Sequence, residues 1–304
     1  MNGREGQTYA GESLASRYAS FVKLPHTLFA LPFAGVGAIL ATYVAGAHVT
    51  GWSIFFIVLA FTNARFAAMA FNRLVDRNYD ALNPRTAGRE LPSNKLSVGQ
   101  ARISIVVTSA VFIACAWQLN PLCGKLSFIA LAWIFFYSYA KRFTALSHYV
   151  LGWSLAIAPV GAYLALTGQW SKPWYALIVL AVGVVCWVSG FDIVYAIQDI
   201  DFDRKTGLHS LPARLGLKRS LRLSRVMHIC AVAAFVAILA FQLFPVGTLY
   251  AVGVGFMGGL LAYEHRLVSG PLDMQKIDRA FFNMNVIVST SFFAFTLLDR
   301  LISR

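Results

Sequence analysis

The chain alternates long apolar runs with short polar connections. The runs fall at about 27–46, 52–71, 101–119, 124–140, 149–168, 173–191, 225–243, 246–263 and 281–299. A helix rising 1.5 Å per residue needs about 20 apolar residues to cross a hydrocarbon core, and these runs are of that length. The pattern predicts an all-α polytopic membrane protein with about nine transmembrane helices. The seventh and eighth runs are separated only by a very short connection at Phe244-Pro245. Nothing reads as a separate soluble domain, a low-complexity tract or a short repeat, so residues 1–304 are expected to form one membrane domain.

Two connections are much longer than the rest, 72–100 and 192–224. Long loops in compact proteins are often lids or binding loops. Pro84, Gly88 and Pro92 punctuate the first, and Gly207, Pro212 and Gly216 the second, so each is expected to hold turns or short helices. Both are basic: Arg73, Arg77, Arg85, Arg89 and Lys95 in one, and Arg204, Lys205, Arg214, Lys218, Arg219 and Arg222 in the other. The opposite side carries little beyond Lys125, Lys172, Arg300 and Arg304. The positive-inside rule therefore predicts a cytoplasmic amino-terminal segment (1–24), both long loops cytoplasmic, and the carboxyl terminus outside.

Composition agrees with the pattern. The chain is 58% hydrophobic and 13% charged, with a net charge of +13. So basic a chain could suggest nucleic acid, but the charge is confined to loops between apolar runs, and no nucleic-acid partner is expected. Residues 1–24 are polar, with no apolar core before a cleavage site and Asn at position 2, so neither a signal peptide nor myristoylation is expected. Cys115, Cys123, Cys186 and Cys230 sit in or beside apolar runs without a CxxC pair, and read as small apolar residues.

The candidate chemistry lies where two apolar runs end. Asn72, Asp76 and Asp80 stand four residues apart, which puts them on one helical face over two turns. Asp192, Asp199 and Asp203 form a second stripe, with Tyr195 near the same face and Asp201 off it. Carboxylates at the mouths of membrane helices are costly and usually mark function. Magnesium favours oxygen ligands and commonly joins one or two carboxylates to substrate phosphates. Asn72, Asp76, Asp80, Asp192, Asp199 and Asp203 are thus candidate metal ligands facing a polyanion. The run from Asp199 to Asp203 starts like an EF-hand loop, but that reading is weak, because the Gly at its sixth position and the terminal Glu are missing.

Basic residues follow each stripe. Arg85, Arg89, Arg204 and Lys205, with Lys141 and Arg142 at the end of the fourth run, are candidate phosphate clamps, since guanidinium binds phosphate oxygens bidentately. Tyr137 lies one turn before Lys141, so hydroxyl and ammonium can converge on one oxygen. Arg65 lies inside the second apolar run, seven residues or roughly 10 Å before Asn72 at helical rise. It shares the face of Asn72 and Asp76 and is expected to line a cavity. Six histidines show no metal spacing; His26 and His209, near the cytoplasmic mouth, read as structural.

These residues resemble the UbiA superfamily of intramembrane aromatic prenyltransferases. Asn72-x-x-x-Asp76-x-x-x-Asp80 is similar to its first signature, and Arg85-Thr86-Ala87-Gly88-Arg89-Glu90-Leu91-Pro92-Ser93 to the continuation. Asp199-x-x-x-Asp203, followed by Gly207 and Ser210, is similar to the second signature, and Tyr137-x-x-x-Lys141 to a further element. The chain departs from the pattern at Glu90, where many members have Pro, at Asn94, where many have Gly, and at Arg73, where hydroxybenzoate enzymes usually have Asp. With the stretch from His26 to Phe33, this is similar to a 4-hydroxybenzoate-like branch found beside futalosine-route menaquinone synthesis.

The resemblance implies a central cavity in the lipid bilayer and magnesium as cofactor. It also implies transfer of a polyprenyl group from polyprenyl diphosphate to an aromatic acid in respiratory quinone synthesis, at a bacterial inner membrane. Asp76, Asp199, Lys141 and Tyr137 would be catalytic. Arg65 is then suited to the acceptor's carboxylate, and family hydroxybenzoate enzymes carry an Arg at this offset. Prenylation of a naphthoate, dihydroxynaphthoate, haem or chlorophyll precursor stays open. So does a transporter, which would show inverted repeats and helices broken at mid-membrane.

Overall fold

The computed structural model describes residues 13–23, 30–269, 277 and 279–302. The regular structure among them is helical throughout: α1 (Leu14–Phe21), α2 (Leu31–Ala41), α3 (Gly51–Leu82), α4 (Val98–Leu119), α5 (Pro121–Ala140), α6 (Ser147–Thr167), α7 (Ala176–Ala196), α8 (Ile200–Thr206), α9 (Leu211–Leu215), α10 (Leu217–Ala240), α11 (Thr248–Leu267) and α12 (Asn285–Ile302). His26 and residues 27–29 of the stretch beside it lie outside the described residues, as does most of the amino-terminal segment.

Among the described residues, seven helices are long and apolar enough to cross a membrane. The protein is an all-α membrane protein, but not every expected span reaches that standard. The described part of the first is the 11-residue α2, and α11 ends in Glu264, His265 and Arg266. The two long connections also begin later than the hydropathy suggests. α3 runs for 32 residues, about 48 Å at helical rise against a core of about 30 Å. A 31-residue helical stretch likewise covers Ala176–Thr206, interrupted by one 3₁₀ turn. Residues 72–82 and 192–206 are therefore helical extensions that carry both acidic stripes past the apolar layer.

Local sequence sets the helix ends. Thr50 and Ser53 form a capping box on α3, and Ser97 and Gln100 do so on α4. Asn120 caps α5 ahead of Pro121 and donates to the Leu164 carbonyl at 2.9 Å, which ties this turn to the far end of α6. The amino terminus of α11 is capped from a distance: Asp299 on α12 accepts from the backbone N–H groups of Gly247, Leu249 and Tyr250 at 2.7–3.2 Å. A carboxylate suits the positive end of a helix and satisfies its orphan donors.

α7 is the axis of the bundle. It is apolar all round and mostly buried, as a helix without a polar face should be. It packs against α6 and α10, and α6 against α2. Trp187 on α7 stacks on Phe33 of α2 at 4.6 Å, and Phe33 also meets Phe235 of α10 and Phe292 of α12. Trp187 donates to the Asn285 side-chain oxygen at 2.8 Å. Small residues permit the close contacts, as is usual between membrane helices. A Cβ on Gly37 would lie 1.9 Å from the carbonyl oxygen of Pro159 on α6. Gly37→Ala must push α2 off α6 and is expected to destabilise the protein by about 1–3 kcal/mol. Thermal unfolding in detergent measures this, and an unchanged midpoint would contradict the packing.

Candidate active site

Both acidic stripes line one cavity of about 730 Å³, whose wall includes Asn72, Asp76, Asp80, Asp192, Asp199 and Asp203. Arg65, Arg85, Arg89, Tyr137, Lys141, Arg142 and Tyr195 line it too. Lys205 does not. It lies two residues beyond the buried Asp203, about 200° round α8, and faces outward. Asp201 is likewise exposed.

The mouth is a lattice of alternating charges. Arg85 donates to both oxygens of Asp199, from Nε at 3.1 Å and from Nη2 at 2.7 Å, while its Nη1 donates to the Tyr195 hydroxyl at 3.1 Å. Asn83 adds a 3.2 Å bond to Asp199. The loop that follows α3 thus reaches across to the second stripe. Arg89 pairs with Asp80 at 2.8 Å. Arg142 pairs with Asp76 at 3.3 Å and donates to the Val75 carbonyl at 2.8 Å. Asn72 donates to the other oxygen of Asp76 at 3.1 Å. Lys141 lies within electrostatic reach of Asp76, Asp199 and Asp203, between the stripes.

Two carboxylate oxygens in this wall, Oδ2 of Asp80 and Oδ2 of Asp203, are buried without a hydrogen-bond partner. A buried orphan acceptor on a charged group is costly. Hard oxygen donors left over on both stripes fit magnesium in chemistry. Among the described residues no three His, Cys, Asp or Glu side chains form a ready-made metal cluster. The donors therefore suit a cation that is also coordinated by oxygens from a ligand.

The loop carrying Arg85 and Arg89 is held by the positions where the chain departs from the resembled pattern. Arg73 on α3 and Glu90 in the loop form an ion pair at 2.7 Å, each side chain 4% exposed. Phe21 of α1 lies against the Arg73 guanidinium at 5.8 Å. The departures at Arg73 and Glu90 are the two ends of one contact. Asn94 has φ of 56°, in the left-handed region where Gly is easiest and Asn is tolerated. Asn94 thus supplies the backbone shape that Gly would. Below the mouth the cavity turns apolar, lined by Ile57, Phe61, Phe112, Leu126 and Trp133 among others.

Sequence reasoning missed Asn83 and His148. Asn83 follows Asp80 by three residues at the turn before Pro84, and that turn signal was its only mark. His148, at the start of α6, lies with Nδ1 2.6 Å from Oδ2 of Asp192. Asp192 is thus held by an imidazole where Asp76, Asp80 and Asp199 are held by arginines. Its partner lies 44 residues away, so no local spacing could have marked the pair.

The UbiA prenyltransferase family profile matches residues 30–287. A 4-hydroxybenzoate octaprenyltransferase of Shewanella woodyi is 31% identical over 224 residues, 73% of this chain and 75% of that protein. One from Saccharophagus degradans is 29% identical over 262 residues, 86% of this chain and 85% of that protein. Among solved structures, a UbiA homologue from Aeropyrum pernix K1 has a TM-score of 0.80 and 32% identity, covering 90% of this chain and 98% of its own. A UbiA homologue from Archaeoglobus fulgidus, bound to GPP and Mg2+, shares the fold with a TM-score of 0.70 at 18% identity, over 94% of this chain and 99% of its own.

Breaking a buried ion pair by removing one partner costs about 3–5 kcal/mol. Glu90→Ala is expected to destabilise the protein by that order and to expose the loop 83–97 to protease. Exchanging the charges, Arg73→Glu with Glu90→Arg, should restore part of the loss. Unfolding and limited proteolysis in detergent check both, and a Glu90→Ala variant as stable as the parent would contradict the contact.

Proposed function

The chain belongs to the UbiA prenyltransferase family, and from that premise we propose that it transfers a polyprenyl group from a polyprenyl diphosphate to an aromatic acid such as 4-hydroxybenzoate. The product would feed a respiratory quinone, ubiquinone or menaquinone. The observation that carries this reading is the composition of one cavity: two carboxylate stripes and four cations at its mouth, with an apolar depth below. A diphosphate needs the first, and a prenyl chain needs the second. The names of the relatives support the aromatic acid.

Asp76, Asp80, Asp199 and Asp203 would hold magnesium, with Asn72 orienting Asp76. The metal, when bound, supplies positive charge that favours departure of the diphosphate. Arg85, Arg89, Lys141 and Arg142 are set to exchange their carboxylate partners for phosphate oxygens, so that binding replaces one set of charge-assisted bonds with another. The Tyr137 hydroxyl, one turn before Lys141, can add a bond to the same group. Positive groups fixed where negative charge develops stabilise the transition state without reorganisation. The apolar wall excludes water, so the allylic cation left by ionisation meets the acceptor ring rather than hydroxide.

Arg65 would take the acceptor's carboxylate. It lies in the cavity wall, about 10 Å deeper along α3 than Asn72. The acceptor would then lie below the diphosphate, with the reacting carbon between. The basic loops favour a cytoplasmic mouth at the bacterial inner membrane, where a water-soluble aromatic acid could enter.

Asp76→Asn and Asp199→Asn are each expected to abolish turnover in folded, membrane-inserted protein, and chelation of magnesium should do the same. A product assay in membranes with labelled polyprenyl diphosphate tests this, and either variant turning over near the parent rate would overturn the assignment. Arg65→Leu should weaken acceptor binding by about tenfold or more, since charge-assisted hydrogen bonds contribute about 1.5–3 kcal/mol, and should leave diphosphate binding nearly intact. Separate titrations with each substrate decide this; loss of diphosphate binding instead would assign Arg65 to the metal site.

A further inference from the structure

Prenylating an aromatic ring carbon leaves one proton too many. The C–O bond to diphosphate breaks, a C–C bond forms, and the ring carbon then carries both the new chain and its original hydrogen. Aromaticity returns only when that C–H bond breaks, its electron pair rejoins the ring and the proton goes to a base. Arginine-held carboxylates are poor candidates. Their partners stay charged at any working pH, and the proposed metal and diphosphate would compete for them.

One carboxylate in the wall is held differently. Asp192 lines the cavity, and its side chain is 16% exposed, while that of its partner His148 is fully buried. The Nδ1–Oδ2 distance is 2.6 Å. Nε2 of His148 is buried without a hydrogen-bond partner, so the ring directs its bonding at Asp192. The scaffold around it is tight. Ser189 on α7 donates to the His148 carbonyl at 3.2 Å. A Cβ on Gly152 of α6 would lie 2.8 Å from the Val185 carbonyl oxygen and 3.0 Å from Ser189 Oγ. α6 and α7 therefore touch at the level of the pair, which leaves His148 little freedom to swing away.

Depth agrees with this role. Asp192 precedes Asp199 by seven residues, so it lies about 10 Å inward of Asp199 along the helical stretch. Asp192 is thus the innermost carboxylate of the second stripe, in the same cavity wall as Arg65. Tyr137, also in the wall, interacts electrostatically with both Asp192 and Asp76, one carboxylate from each stripe.

We propose that Asp192 is the base that takes the ring proton and that His148 is its positioning residue. This rests on the reading of the site as an aromatic prenyltransferase, and it assigns Asp192 to proton transfer rather than to the metal. The proton leaves the ring carbon for the Asp192 carboxylate, while His148 keeps its Nδ1–H on Oδ2 and holds the carboxylate toward the acceptor. Water at the mouth takes the proton after the product leaves.

The test is single-turnover prenylation by the full-length protein in membranes or detergent, using 4-hydroxybenzoate with either hydrogen or deuterium on the ring. A positioned general base contributes about 100-fold or more, so Asp192→Asn should slow product formation by that order. It should also make the rate sensitive to ring deuterium, while magnesium dependence and KM for the diphosphate stay at parent values. His148→Phe should show the same signature more weakly. His148→Asn, whose amide can donate from near the Nδ1 position, should recover most of the rate. A deuterium effect unchanged in all three variants would overturn the proposal, and so would a raised magnesium requirement in Asp192→Asn, which would make Asp192 a ligand. Absence of any prenylated aromatic acid from the parent protein would overturn the parent reading and this assignment together. Equal rates for parent and Asp192→Asn would overturn this assignment alone.

Discussion

The structure depends on keeping five aspartates, from α3 and from the helical stretch Ala176–Thr206, around one cavity at the edge of a low-dielectric layer. Like charges there repel far more strongly than in water. Cations interleaved between them meet this constraint. Arg89, Arg142 and Arg85 each take one carboxylate, and Lys141 lies between the stripes. The bidentate Arg85–Asp199 contact is the most consequential, because it joins the loop after α3 to the end of α7. On the proposed function, the cations of the lattice would trade carboxylates for phosphate oxygens.

Behind this lattice lies a layer of support. The Arg73–Glu90 pair and Phe21 fix the loop from below, so that Arg85 and Arg89 are presented by a loop tied at its base. On the other wall, the close approach of α6 to α7 at Gly152 holds His148 to Asp192. The aromatic cluster around Trp187 and Phe33 anchors α7, and through it the second stripe, to four other helices. Side chains far from the mouth thus determine how exactly its charges face one another.

The apolar runs, the helical spacing of Asn72, Asp76 and Asp80, and that of Asp199 and Asp203 were all legible in the sequence. Each is a regularity within one helix, and helical geometry converts such spacing into a shared face without help from the rest of the chain. The place of Arg65 in the cavity wall followed from the same rule. Lys205 did not, because its side of α8 depends on which face that short helix buries. The ends of α3 and α7 were placed too early, since hydropathy ends where polarity begins whereas backbone hydrogen bonding continues to Leu82 and Ala196, about three and about one and a half turns further.

What only the tertiary structure decided are the contacts between elements distant in the chain. Arg85 with Asp199, Arg73 with Glu90, His148 with Asp192 and Asp299 with the start of α11 are separated by 114, 17, 44 and about 50 residues. Local spacing marks Arg85, Asp192 and Asp199 as candidate site residues but pairs none of them, and Arg73, Glu90, His148 and Asp299 carry no mark of their partners. Their meeting depends on crossing points set by small residues such as Gly37 and Gly152, whose meaning is steric and appears only when two helices are packed. The sequence by itself determined which groups lie on each helical face and how deep. Packing determined which of those faces meet, because that choice belongs to pairs of helices and is written in neither one.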